Sequence, residues 1–156
     1  MRYWLMKSEP DAYSIDDLQR DKTTAWGGVR NYQARNFMRD QMQVGDGVLY
    51  YHSNCEEPGI VGIAAVSKPA YPDETQFDRK NKYYDEGSTR DNPRWVNVEV
   101  KFVRKTPLVS LTGLRTHPKL KNMRILQRGN RLSITPVDPA EWAYLETLFR
   151  KAGSAR

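Results

Sequence analysis

The stretch from Trp95 to Val103 limits the possible folds more than any other part of the chain. Val96, Val98, Val100 and Phe102 alternate strictly with Trp95, Asn97, Glu99 and Lys101. Successive strand side chains point to opposite faces, so this segment has one apolar face to bury and one polar face to leave at the surface. Such a strand needs neighbours, and a stable sheet needs at least three or so strands or a helix packed on it. The neighbours lie upstream. Gly47 to Ser53 and Ile60 to Ser67 read as strands joined by the loop Asn54-Cys55-Glu56-Glu57-Pro58-Gly59. The second is apolar almost throughout, as a strand covered on both faces should be. Tyr3 to Lys7 reads as a first strand ending at Ser8-Glu9-Pro10, and Leu132 to Thr135 as one more.

Helix signals fall between the strands. Ser14 opens a short helix, with Asp17 three residues on as a variant of the capping box. Asn31 caps a helix running to about Gln41. Ala34, Phe37, Met38 and Met42 form its buried stripe, with Tyr32, Arg35 and Arg39 on another face. Asp138-Pro139-Ala140-Glu141 starts a last helix, docked by Trp142, Leu145, Leu148 and Phe149. Strands dominate and connections are short. The expected fold is therefore α/β of the α+β type, a small, strongly bent sheet or open barrel with three or four helices around it.

At 156 residues the chain is expected to be a single domain spanning 1–156. A chain of this size hides roughly 68–70% of its unfolded surface, so it needs no disulfide or metal to fold. Its only cysteine, Cys55, fits a reducing compartment. No window approaches the ~20 apolar residues that a membrane span needs. The opening MRYWLMKSEPD is interrupted by Lys7 and Glu9, unlike a signal-peptide core. The expectation is a cytoplasmic monomer with no membrane partner, or a nuclear one in a eukaryote.

The chain holds 25 basic and 19 acidic residues, and the excess is concentrated. From Val100 to Val137 nine residues are basic (Lys101, Arg104, Lys105, Arg115, Lys119, Lys121, Arg124, Arg128, Arg131) and none is acidic. The remainder carries 16 basic against 19 acidic residues. A one-sign segment in a folded domain makes a field that attracts polyanions.

Catalytic signatures are absent. The two histidines, His52 and His117, belong to no HExxH motif, and neither CxxC nor GxSxG occurs. A metal site needs three or four suitable ligands, and His52 with Cys55 supplies two. Glu56 and Glu57 beside Cys55 would raise its pKa and so blunt it as a nucleophile. No metal and no cofactor are expected. The run Trp26-Gly27-Gly28-Val29-Arg30-Asn31 opens a helix but lacks the phosphate-loop lysine. It can still offer an anion the free N–H groups of a helix start, with Arg30 adding a fork suited to phosphate or a base edge.

What remains is a set of rings and polar groups at element ends. Trp26, Tyr32, Tyr50, Tyr51 and Trp95 can stack on a base, although Tyr50 and Tyr51 must point to opposite sheet faces. Ser8, Glu9, Asn31, His52, Ser53 and Asn54 can hydrogen-bond to a base edge. The segment Ala70 to Pro93 carries Tyr71, Phe77, Tyr83 and Tyr84, too many aromatics for a disordered linker. It reads as a long, ordered and functional loop.

Several runs together resemble the EVE domain family of the PUA-like superfamily. They are Lys7-Ser8-Glu9-Pro10, WGGVRNYQARNFM from Trp26 to Met38, YYHSNCEEPG from Tyr50 to Gly59, Tyr71-Pro72-Asp73, Asp91-Asn92-Pro93-Arg94-Trp95 and Arg131-Leu132-Ser133-Ile134. The likeness covers nearly the whole chain. It implies a PUA-like bent sheet or pseudo-barrel and a pocket for a modified base, such as a modified cytosine in DNA or a modified base in RNA. Carried over residue by residue, that pocket draws on Lys7, Ser8, Glu9, Trp26, Val29, Arg30, Asn31, Tyr32, His52, Ser53 and Asn54. Trp95 and the Arg128 to Ser133 stretch, including Arg131, are further members. Eukaryotic relatives carry a basic N-terminal tail, so a chain beginning at the first strand suggests a bacterial protein.

The expectation is a binding module and not an enzyme. The basic segment neutralises phosphates, the target base leaves its stack, Trp26 or Trp95 stacks on it, and polar groups read its edge. The rival is a nuclease or base-modifying hydrolase using Glu9 with Lys7 or His52 as its acid–base pair.

Overall fold

The computed structural model describes residues 1–154. The strands are Tyr3–Ser8 (β1), Thr23–Trp26 (β2), Gly47–His52 (β3), Gly59–Pro72 (β4), Val96–Ser110 (β5) and Ile134–Val137 (β6). They form one six-stranded sheet in the order β2-β5-β4-β3-β1-β6. β1 and β3 run parallel; every other pair is antiparallel. The alternating segment thus lies in a strand longer than its pattern announced, paired with β4. Register shifts interrupt that pairing between Ile60 and Gly62, Ile63 and Ala64, and twice between Val66 and Tyr71. Each shift adds local twist and bend, which curls the sheet as expected.

Both faces of the sheet are covered. On one, Trp4, Met6, Val48, Tyr50, Val98 and Val100 pack against Leu18, Phe37 and Met38. On the other, Leu5, Leu49, Tyr51 and Ile60 pack against Leu114, Leu120, Trp142 and Leu145. Tyr50 and Tyr51 therefore point oppositely, as the strand period demands, and both are buried. Neither ring is free to stack on a ligand.

The helices are Ile15–Asp21 (α1), Tyr32–Asn36 (α2), Leu111–Leu114 (α3) and Pro139–Ser154 (α4). The capping box is present: Asp17 N–H donates to Ser14 Oγ at 3.1 Å and Ser14 N–H to Asp17 Oδ2 at 2.9 Å. Asn31 Oδ1 caps α2 by accepting from Ala34 N–H at 3.0 Å. α2 continues through a π-helical turn, Phe37–Gln41, closed by Met42 N–H on Phe37 O at 2.9 Å. That widened turn keeps Phe37, Met38 and Met42 on the core. No helix among the described residues is long and apolar enough to cross a membrane.

α3 has no counterpart in the sequence expectation, β4 runs on past Ser67 to Pro72, and two further strands differ from it. β2 has no apolar alternation because it is a short edge strand with only Thr24 and Trp26 partly buried. β6 starts two residues late. Leu132 N–H turns back onto Asn130 Oδ1 at 3.0 Å, so pairing with β1 begins at Ile134.

His52 ends β3, and its Nε2 accepts the backbone N–H of Ile15 at 3.1 Å, satisfying one of the free donors at the start of α1. Burial pushes its pKa below the ordinary histidine value. As pH falls, the unfolded chain takes up this proton first. The stability from neutral His52 is complete above about pH 6.5 and is lost as pH drops through the lower folded value. The drop in urea unfolding free energy between about pH 7.5 and about pH 5 should therefore be smaller in His52→Gln than in wild type.

Candidate functional site

Where β1 ends, its chain turns away from the sheet and leaves a cleft of about 530 Å³. Lys7, Ser8 and Glu9 line one side, followed by Ala12 and Tyr13. Residues 24–30, from β2 through the two glycines to Arg30, line another. Lys82 and Tyr83 close it from the long loop, and Ser133 from the approach to β6.

Trp26 is half-buried and meets Tyr50 edge-on, with ring centroids 5.6 Å apart at 83°. The core thus holds the indole while part of it faces the cleft. Tyr83 also lines the cleft, packed against the Gly27-Gly28 turn. Gly28 has φ +73°, and a β-carbon there would sit 2.8 Å from the Tyr83 ring. Both the backbone conformation and the close approach require glycine. Ser8 Oγ and Tyr50 Oη both donate to Tyr13 O at 2.7 Å. The Ser8 proton is thereby committed, and its lone pairs remain available to a donor. The Lys7 ammonium makes no hydrogen bond or ion pair among the described residues, and burial lowers its pKa. It is a half-buried cation facing an open cleft.

Arg30 lines the cleft, but its donors are committed. Nε and Nη2 donate to Tyr83 O at 3.1 and 2.8 Å. Nη1 donates to Val29 O at 2.9 Å and Asp73 Oδ2 at 3.2 Å, and Nη2 also to Thr75 Oγ1 at 3.1 Å. A guanidinium has five N–H groups, and all five are spent. The fork expected for a phosphate or base edge instead clamps the long loop. Asp73 answers it, accepting also from Gly28 N–H at 2.8 Å and Thr75 N–H at 2.9 Å. Burial works against the Asp73 charge, but the bonds from Thr75, Gly28 and Arg30 outweigh it and hold the carboxyl below its usual range. Further along, the fully buried Gln76 donates to Asp73 O and Trp95 O, both at 2.8 Å, and its Oε1 accepts from Arg94 and Trp95 N–H at 3.1 and 3.0 Å. The loop is therefore ordered around one amide.

Of the residues expected at the site, Lys7, Ser8, Glu9, Trp26, Val29, Arg30 and Ser133 meet at this cleft. The others lie outside it. Trp95 is 6% exposed and donates its indole N–H to Asp85 Oδ2 at 2.7 Å. Tyr32 packs against it with ring centroids 4.9 Å apart and planes tilted by 30°, and the Arg30 guanidinium lies 5.3 Å away over its ring. It anchors the loop and has no face to lend a base. Asn31 spends its carbonyl as a helix cap, and His52 spends Nε2 on Ile15. Ser53 N–H donates to Ser8 O at 3.1 Å, and Asn54 Nδ2 to Glu9 Oε1 at 2.7 Å, so both brace the outer rim. Arg128 lines a second cavity, and Arg131 is exposed. Sequence reasoning missed Tyr13, Thr24, Lys82 and Tyr83. Only Tyr83 had a signal, the excess of aromatics in its loop. No group of three or more His, Cys, Asp or Glu among the described residues is placed to hold a metal ion.

The sequence model of the EVE domain matches residues 2–148. The chain belongs to the EVE domain family. It is 45% identical to human thymocyte nuclear protein 1, over 97% of this chain and 76% of that one. A hypothetical protein from Leishmania major has a solved structure that superposes with a TM-score of 0.92 at 44% identity, covering 98% of this chain and 97% of its own. The crystal structure of human THYN1 protein in complex with 5-methylcytosine-containing DNA superposes with a TM-score of 0.88 at 43% identity, covering 95% of this EVE domain and 97% of the human chain. The fold is the curled PUA-like sheet that the motifs implied.

The clamp separates two effects that one substitution can test. Arg30→Lys keeps the charge but cannot make five bonds, leaving carbonyls of the loop without donors. It should lower unfolding free energy by about 1–3 kcal/mol. Amide hydrogen exchange should speed up from Asp73 to Ser88 and stay unchanged in β3. A uniform change across the sheet would show that the clamp is not local.

Proposed function

We propose that this EVE domain binds nucleic acid carrying a modified base and reads that base after it has been flipped into the cleft between Trp26 and Tyr83. One observation carries the reading: a relative with the same fold and 43% identity has been solved on DNA containing 5-methylcytosine. The cleft supports it. It is open and flanked by rings, with hydroxyls at Ser8, Thr24 and Ser133 and an unpaired ammonium at Lys7. Rings on either side suit the π-face of any base, and stacking is worth ~1–3 kcal/mol per base. Polar groups at the inner end can then select the Watson–Crick edge. Val29 is the apolar surface against which an added methyl can rest. One methyl is worth ~1–3 kcal/mol, so discrimination by packing alone is modest.

In this reading the domain holds its ligand without transforming it. The pairing of Glu9 with His52 that catalysis would need is disfavoured, because the imidazole acceptor is occupied by the α1 backbone. Glu9 and Lys7 do both face the cleft, so labelled DNA incubated with the wild-type chain and with Glu9→Ala is the discriminating assay. Turnover that disappears in the variant would establish an enzyme.

The binding test is a panel of short DNA and RNA duplexes and single strands, each holding cytosine or one modified base. The tightest binding is expected for modified cytosine in DNA. Trp26→Ala should weaken it by about 5- to 150-fold, the range of one lost stacking partner. Trp95→Ala should lower stability, because its ring lies under the loop. Unchanged affinity in Trp26→Ala would overturn the assignment of the cleft.

A further inference from the structure

We propose that the arginine-lined cavity beside the cleft is a subsite for a backbone phosphate of the nucleotide adjoining the flipped base. This rests on the base-reading proposal and adds a second contact to it. The cavity, about 430 Å³, is lined by Arg124, Arg128, Gly129, Asn130, Leu132 and Thr135, together with Gln127. It touches the cleft through the chain itself: Leu132 lines one cavity and Ser133 the other. The adjoining cavities let a strand whose base enters the cleft set a phosphate beside that base over the second cavity.

The lining fits an anion and not another base. It contains no aromatic ring to stack on and two guanidinium groups whose forks match phosphate oxygens. Neither Arg124 nor Arg128 makes an ion pair among the described residues, whereas Arg20, Arg30, Arg39, Arg90 and Arg94 each have a carboxylate. This is the local consequence of a segment with nine bases and no acid. The acid that Arg124 does influence is Glu141, whose Oε1 already accepts the Asp138 N–H at 3.0 Å. The frame under the arginines is held in place. Gln127 Nε2 donates to Lys121 O and Met123 O, both at 3.1 Å, Asn130 Nδ2 donates to Arg124 O, and Gly129 takes φ +81°. Two unpaired cations on a braced loop pay little ordering entropy when an anion arrives.

The test is the salt dependence of binding to a 5-methylcytosine duplex, for wild type, Arg128→Ala, Arg124→Ala with Arg128→Ala, and Arg128→Lys. Each lost phosphate contact should reduce the slope of log K against log salt by about 0.9. The double variant should bind at least about 10-fold more weakly at low salt, yet keep the wild-type ratio between methylated and unmethylated duplex. Arg128→Lys should retain the slope, and urea midpoints should be unchanged because both side chains are exposed. If wild type discriminates the methylated duplex and the double variant keeps its full slope, the subsite is wrong while base reading stands. If the double variant loses discrimination as Trp26→Ala does, the arginines read the base and the phosphate assignment is wrong. If wild type ignores every oligonucleotide, both proposals fall.

Discussion

The Arg30 guanidinium joins the two halves of the cleft. Its five N–H groups reach from the start of α2 to Asp73, Thr75 and the Tyr83 carbonyl, fixing the long loop against the Trp26-Gly27-Gly28 turn. A cation so nearly buried is stable only with its charge answered, and Asp73 answers it with a carboxylate that several donors keep ionised. Without this pair the loop that brings Tyr83 to the cleft would lose its tie to Arg30. The interaction is therefore structural in form and functional in consequence.

The sheet supplies the rest of the geometry. β1 and β3 are buried on both faces, so their residues divide between two cores, and the cleft forms where β1 runs on past its pairing with β6 at Lys7 and Ser8. Trp26 extends from an edge strand onto Tyr50, so the ring offered to solvent is supported by a ring sealed beneath it. Non-glycine residues take positive φ at Lys22, which ends α1, and at Asn54, which braces Glu9 on the outer rim of the cleft.

Comparing residues shows where the amino-acid sequence is informative. Capping signals act over three or four residues and depend little on the rest of the chain, so Ser14 with Asp17 and Asn31 with Ala34 form the expected bonds. Strand alternation is equally local, which is why Tyr50 and Tyr51 divide between the cores. Asn31, His52 and Trp95 lie outside the cleft and share one feature. Each has a polar group that suits a base edge, and each spends it on the protein's own backbone or carboxylates: Ala34 N–H, Ile15 N–H and Asp85. For His52 the partner, Ile15, lies 37 residues away and no local signal announces it.

The sequence by itself determined the starts of α1, α2 and α4, the apolar faces, the concentration of positive charge between Val100 and Val137, and, through long shared runs, the family. All of these are properties of neighbouring residues or of composition. Only the tertiary structure decided which rings are open and which cations are free. Trp26 is half-exposed while Trp95 is sealed, and Lys7 and Arg128 are unpaired while Arg30 is saturated. Availability depends on what the curled sheet and the clamped loop bring against each side chain, and those contacts join residues far apart in the chain.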